Sequence, residues 1–406
     1  MREIVLILNH MRLLSVYAVL LIGIFGASSS LANPHNFESW LANFRLDALR
    51  SGISEQTLRS ALDGVKPRPK VVRKDRSQAE FTQSYWHYME RVNKRRIDKG
   101  KELLIKYSPL LKRVQERYGV QPRFLIAFWG LESNYGSTFG GHPVIPSLAT
   151  LAYDNRRAKF FRAQLLAALK ILDRGDITLD RMSGSWAGAM GHIQFIPSTY
   201  ESYAVDFDGD GRRDIWHSMA DVFRAAANYL SSLGWNDKET WGREVRLPAD
   251  FDFSQASLSL RKPLYDWQQA GVRRITGEKL PNVNFKTSLL IPAGHRGPAF
   301  AVYGNFRRIM RWNRSILYAI SVGHLSDRFI GLGPISVRRP ANDKRVSIYM
   351  IKEIQSRLNQ RGFKAGKPDG VIGKGSRAAI RAFQKMKNVP ADGYVTADLL
   401  ELLRKQ

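Results

Sequence analysis

The chain has 406 residues, 44% of them hydrophobic, which is the make-up of a folded protein with two or three structural units rather than one core. Its 63 Lys and Arg stand against 36 Asp and Glu, a formal net charge of +27 that calls for an anionic partner. Zinc patterns, basic zippers and RNA-binding aromatic signatures are missing, which argues against nucleic acid, and zero cysteines exclude disulfides and cysteine-linked lipid.

Residues from Met11 read MRLLSVYAVLLIGIFGASSSLA, a short basic start, an apolar stretch, then small residues at Ser30 and Ala32. This order predicts a signal peptide over residues 1–32, cleaved before Asn33, and hence a periplasmic protein with no stable membrane anchor. A membrane anchor is the alternative, although the apolar run falls short of the ~20 residues that span a bilayer comfortably. Met11 is an alternative start.

Short amphipathic helices follow to about residue 110, for example around Leu58 to Leu62, with a basic, Pro-containing stretch near Lys66 to Lys74. From Pro122 to Leu131 the run PRFLIAFWGL is apolar on every face, which predicts a buried helix with Pro122 in its first turn. Another helix is expected over Arg156 to Arg174, closed by Gly175. The glycine-rich segment SGSWAGAMGHIQFIPSTY comes next, then an acidic loop and a helix from Met219 to Leu233. Alternation in Glu244 to Leu247, Lys286 to Ile291 and Pro298 to Tyr303 predicts strands, so residues 241–303 read as a small β-rich insertion. Helical pattern returns from Asn305 to Leu325.

Residues 333–344, GPISVRRPANDK, read as a linker. Behind it, residues 345–406 carry helical runs at Ser347 to Gln360 and Ser376 to Met386. Two similar turns, Asp369-Gly370-Val371 and Asp392-Gly393-Tyr394, each precede a helix.

Glu132 stands in FWGLESNYGS, at the end of the apolar helix. Burial beside Phe128 and Trp129, the negative end of the helix dipole and exclusion of water by bound substrate all favour a protonated carboxyl there. Such an acid can protonate a glycosidic oxygen. A lone L-E-S tripeptide is more often a wet helix end, so the weight falls on context.

That context resembles the membrane-bound lytic murein transglycosylase B family over residues 35–332. The motifs occur in order: LESNYG at Glu132, SWAGAMGHIQFIPSTY from Ser185, DFDGDGRRDIW from Asp206, AANYL around Tyr229 and RWNRSILYAISVGHL from Arg311. The resemblance implies a lysozyme-like core, Glu132 as sole catalytic acid and base, and a 1,6-anhydromuramic product. It implies that Ser185 and Gln194 hydrogen-bond the glutamate or the sugar, and that Asn313 orients the N-acetyl group of muramic acid. Tyr229, Tyr318 and Tyr88 match aromatic walls of the saccharide groove, with core packing as the alternative for each. Trp312 stands where many relatives carry tyrosine, and His192 and Ile193 occupy a variable part of the glycine-rich loop. A two-carboxylate glycosidase needs a second acid roughly 5 to 10 Å from the first. The glycine-rich motif supplies none.

Asp206, Asp208 and Asp210 alternate with Gly211 at position six, as in a calcium-binding EF-hand loop. Position twelve is His217 rather than glutamate. The resemblance has Asp221 close the shell and Arg212 contribute its carbonyl to a structural calcium ion. The other reading is a solvated turn with Asp221 in a capping box with Ser218. Neither metal nor other cofactor is required for the chemistry.

Residues 345–404 resemble the peptidoglycan-binding type 1 domain, in IKEIQSRLNQRGF and PDGVIGKGSRAAIRAFQKMKNVPADGYVTADLLELL. This implies a three-helix module that holds the enzyme on murein and raises local substrate concentration. The expected fold is mainly α with a β part (α+β): a helical N-terminal region and lysozyme-like catalytic core over 33–332 with its insertion, then the binding module. The expected partner is peptidoglycan, an anionic polymer, with cell-wall synthesis or secretion machinery as further candidates. A hydrolytic lysozyme-type muramidase and a non-catalytic wall-binding scaffold are the rival readings.

Overall fold

The computed structural model describes residues 34–76 and 83–405; the expected signal peptide lies outside them. Helices α1 (Pro34–Arg50), α2 (Glu55–Leu62), α3 (Pro69–Arg76), α4 (Tyr85–Met89), α5 (Lys94–Lys106) and α6 (Ser108–Tyr118) lead to α7 (Pro122–Ser133). The basic stretch near Lys66 to Lys74 is thus helical from Pro69, because a proline in the first turn forfeits only an N–H that would be unpaired anyway. Phe124 to Gly130 are all buried on α7, as an all-round apolar helix requires.

The chain continues through β1 (His142–Pro143), α8 (Val144–Tyr153), α9 (Ala158–Asp173), β2 (Ser183–Gly184), α10 (Pro197–Tyr203) and α11 (Met219–Ser232). Gly175 follows α9 in the left-handed region, φ +75°, which releases the chain after the helix. The insertion comprises β3 (Gly242–Arg246), β4 (Lys262–Pro263), α12 (Leu264–Gln269), β5 (Arg273–Arg274), β6 (Lys286–Leu290) and β7 (Ala299–Val302). Its strands form one antiparallel sheet in the order β4-β6-β7-β3-β5. Val245, Leu264, Trp267, Leu289 and Tyr303 give it a core separate from that of the helices.

The helical pattern of Asn305 to Leu325 is two helices, α13 (Gly304–Trp312) and α14 (Ile316–Phe329). Asn313 breaks the run in extended conformation, where its side chain accepts from Ser315 N at 3.1 Å, and Ser315 then caps α14 by accepting from Tyr318 N. Side-chain hydrogen bonds between near neighbours outcompete helix continuation here, which apolar periodicity does not report. Helices α5, α6, α11 and α14 all pack on α7. On α14, Asp327 is 6% exposed and holds Arg123 of α7 at 2.6 Å, Trp241 Nε1 at 2.9 Å and Arg243 of β3 at 3.2 Å, tying the insertion to the helical core.

Helices α15 (Ile348–Gln360), α16 (Lys374–Met386) and α17 (Ala397–Arg404) form the terminal module around Ile354, Leu358, Ile380, Phe383 and Leu400. Its two Asp-Gly turns share one hydrogen-bond scheme. Asp369 Oδ1 accepts from Gln355 Nε2 while Gln355 Oε1 accepts from Gly370 N. Asp392 Oδ1 accepts from Gln384 Nε2 while Gln384 Oε1 accepts from Gly393 N. The second turn also docks on the insertion: Asp392 Oδ2 lies 2.9 Å from His295 N and 2.7 Å from His295 Nδ1. The linker runs along the sheet, where Ser336 N and Val337 N donate to Glu244.

Candidate active site

Glu132 is the penultimate residue of α7 and is half-buried. The helix stops there because Asn134 and Tyr135 take left-handed φ of 49° and 59°, conformations that cost non-glycine residues of order 1–3 kcal/mol each unless their surroundings enforce them. Enforcement is visible for Tyr135, whose hydroxyl donates to Arg96 O at 2.6 Å while its ring lies over Gly130, where any Cβ would come within 2.7 Å of it. Packing thus turns the chain sharply just beyond the glutamate.

Opposite the helix end, Tyr318 of α14 donates its hydroxyl to Glu132 Oε1 at 2.5 Å. Tyr318 is 4% exposed, with its hydroxyl on the Glu132 carboxyl and little of its ring open to solvent. Trp312 stacks on Phe128 with centroids 4.3 Å apart and approaches Tyr229 at 5.4 Å and Phe195 at 5.2 Å. Tyr229 is half-buried, donates to Arg311 O at 3.2 Å and has its phenol pushed up chiefly by burial. Its ring packs in the same aromatic cluster as Trp312 and Phe195. Tyr88 is 2% exposed beneath the Arg91 guanidinium, 4.2 Å from the ring centroid, so its face is closed to a sugar in this structure.

The expected polar residues mainly shape the glycine-rich loop. Ser185 Oγ accepts from Ala187 N and Ala189 N, and Gln194 Nε2 donates to Phe139 O and Gly191 O. Gln194 itself sits at φ 49°. The loop is thereby clamped to residues just past Glu132. Asn313 is half-buried at the break between α13 and α14.

His192, marked in the sequence only as a variable position of the glycine-rich loop, has a definite place in the structure. Its Nδ1 accepts from Trp129 Nε1 at 2.7 Å, and its carbonyl accepts from Ser133 Oγ at 2.6 Å. Burial first, then His217, pull its imidazole down to about 4 against the opposing backbone bond to Trp216 and the Asp214 charge. It had no signal beyond a histidine in a glycine-rich run.

In the acidic loop, carboxylate oxygens of Asp206, Asp208 and Asp210 lie within 4.8 Å of one another. Asp206 accepts from Gly209 N and Gly211 N, Asp210 from Arg212 N, and Asp208 from Ser218 Oγ. Asp221 is fully buried, with Oδ1 accepting from Phe207 N at 2.6 Å and Oδ2 from Asp214 N at 2.8 Å. Its own N–H is capped by Ser218 Oγ, but the Ser218 N–H donates to Asp214 O rather than back to the Asp221 carboxylate, so only half of the capping box forms. Burial pushes its carboxyl up to about 6. Three converging carboxylates suit a hard divalent cation, whereas Asp221 serves the loop as a brace from beneath.

Glu132 at the end of a buried helix, beside aromatics on a lysozyme-like, mainly helical core, is the candidate catalytic acid of a glycan-cleaving enzyme class. The chain belongs to the transglycosylase SLT domain family, which matches residues 36–327, and residues 349–403 match the putative peptidoglycan binding domain. It is a lytic transglycosylase by that membership. It is 29% identical to membrane-bound lytic murein transglycosylase B of Escherichia coli K12 over 302 residues, 68% of this chain and 78% of the relative. The fold is similar to SltB3 of Pseudomonas aeruginosa solved with NAG-NAM-pentapeptide, at 50% identity and TM-score 0.87, covering 91% of this chain and 99% of that one. It is also similar to the Escherichia coli lytic transglycosylase Slt35 in complex with calcium, at 26% identity and TM-score 0.63, covering 74% and 94%.

Proposed function

We propose that this enzyme cleaves the β-1,4 bond between N-acetylmuramic acid and N-acetylglucosamine in peptidoglycan and leaves 1,6-anhydromuramic ends. The observation that carries this reading is Glu132 at the terminus of a buried helix, held at 2.5 Å by the Tyr318 hydroxyl. Glu132 gives its proton to the glycosidic oxygen as the bond to muramic C1 breaks, and the bonding pair leaves with that oxygen. The glycine-rich loop facing it, Ser185 to Phe195, contains no Asp or Glu, so no nucleophile comes from there. The substrate's N-acetyl oxygen stabilises positive charge at C1; its C6 hydroxyl then attacks C1 and returns a proton to Glu132. Water is neither consumed nor released, and the acid is regenerated.

The relatives support this reading, since SltB3 has been solved with NAG-anhNAM-pentapeptide as well as the unmodified disaccharide peptide. The terminal module would hold murein strands while the core cuts, and the charge of +27 would retain the protein on an anionic wall, less so as salt rises. Periplasmic location follows from the leader reading together with this substrate. Asp206, Asp208 and Asp210 would hold a calcium ion that braces the loop, with Arg212 adding its carbonyl and Asp221 supporting from below.

Digestion of murein sacculi by the wild type and by Glu132→Gln, with ends identified by mass, tests the proposal. Anhydro ends, lost in the variant, are expected. Hydrated ends would make it a muramidase, and no release a scaffold.

A further inference from the structure

The helix end that carries Glu132 meets His192 of the glycine-rich loop at two points. His192 Nδ1 faces the Trp129 indole at 2.7 Å, and an indole N–H can only donate, so Nδ1 must be an unprotonated acceptor. The ring proton therefore sits on Nε2, and the ring's remaining hydrogen bond runs to the Trp216 backbone. Trp129 lies one helical turn before Glu132. Ser133, directly after Glu132, donates to the His192 carbonyl and accepts from Gly136 N. His192 N also donates to Ile215 O at 3.0 Å. One residue thus grips α7 on both sides of the acid and anchors it to the segment leaving the acidic loop.

The space around the ring is built for it. A Cβ on Gly136 would stand 2.2 Å from the imidazole, so only glycine permits the ring's position, and the Trp129 and Phe139 rings pack edge-on to it at 5.4 and 4.7 Å. Asp214 and His217 are the charged and titratable groups that act on it. Protonation of Nδ1 would set two donors against each other and open the grip.

We propose that His192 is a positioning residue that fixes the direction of the Glu132 carboxyl, its unprotonated ring Nδ1 holding Trp129 and its backbone carbonyl holding Ser133. This rests on Glu132 being the acid, as argued above. Displacement of a reacting group by about 1 Å can cost on the order of a hundredfold in rate. Isosteres test the side-chain bond to Trp129 and leave the backbone bond to Ser133 in place. Asn places an acceptor where Nδ1 is and keeps the Trp129 bond; Gln reaches the Nε2 position and leaves the indole unpaired.

The test measures kcat and KM on sacculi for wild type, His192→Asn and His192→Gln, with hydrogen exchange of the Trp129 indole N–H by NMR. His192→Gln is expected to lose between about tenfold and a hundredfold in kcat with KM within twofold, and to exchange the indole proton at least tenfold faster. His192→Asn is expected to stay within threefold in both. A Gln variant with unchanged kcat, or an Asn variant that falls as far as Gln, overturns the assignment. If His192→Gln does not fold, the Asn variant decides alone, and a loss beyond tenfold overturns it. Failure of wild type to release anhydro ends, or their persistence in Glu132→Gln, would instead sink the functional reading on which this one stands.

Discussion

Replacing Tyr318 by Phe removes one hydroxyl from the site and almost nothing else. The ring is 4% exposed and packs 6.2 Å from Phe128, contacts that phenylalanine retains, so the fold should lose no more than about 1 kcal/mol. The lost bond is another matter. It is a hydrogen bond to a carboxyl that becomes a carboxylate once its proton is given up, and bonds to charged groups are worth about 1.5–3 kcal/mol. If it orients Glu132 throughout the reaction, kcat should fall by roughly tenfold to 150-fold, at about 1.4 kcal/mol per factor of ten. The assay is initial release of muropeptide ends over a range of sacculus concentrations, alongside a melting curve for each protein. A Tyr318→Phe enzyme with kcat within twofold of wild type and an unchanged melt would refute the argument that this hydroxyl holds the acid.

Acid sensitivity should follow from two half-buried imidazoles. Burial lowers His192 and His324 to about 4 in the fold, against 6.5 in the unfolded chain. Between these values the unfolded chain binds protons that the native state refuses, so the stability is complete above pH 6.5 and lost as pH falls towards 4, by on the order of 3 kcal/mol per histidine. Urea melts at pH 7 and 4.5 should show the difference, and His324→Gln should flatten it; an identical slope in that variant would count against the assignment. Removing the His295 side chain should loosen the terminal module while sparing the His295 N–H and internal Gln384 bonds to Asp392, raising protease cleavage within residues 333–344 about fivefold, as a bond worth ~1 kcal/mol allows. Unaltered cleavage would mean that the His295 ring does not secure the docking. For the acidic loop, a chelator should lower the melting midpoint of protein saturated with calcium, with Asp208→Asn abolishing the response; a midpoint indifferent to chelator would argue against a bound ion.

Much of the local structure was legible in the residues alone. All-round apolarity marked α7 as buried and placed Glu132 at its end, and alternation located β3, β6 and β7 to within a residue or two. Alternating aspartates announced the acidic loop, and the echo of two Asp-Gly turns announced the repeated scheme in the module. Such features depend on neighbours a few positions apart, where geometry follows from helix and strand periods and from side chains that bond their own backbone.

Tertiary packing alone decided the rest. The hydroxyl that holds Glu132 comes from a residue 186 positions away, and no period in the sequence links the two. Tyr88 and Tyr229 are both helical tyrosines, yet one is closed beneath an arginine and the other remains half-open, a difference set by what packs above each ring. Asp369 and Asp392 occupy equivalent turns, but Asp392 alone uses its second oxygen on His295, because that turn faces the insertion. Short-range order is written in the spacing of residue types, whereas the partner of a buried polar group is chosen by whichever distant element the folded core brings within bonding distance.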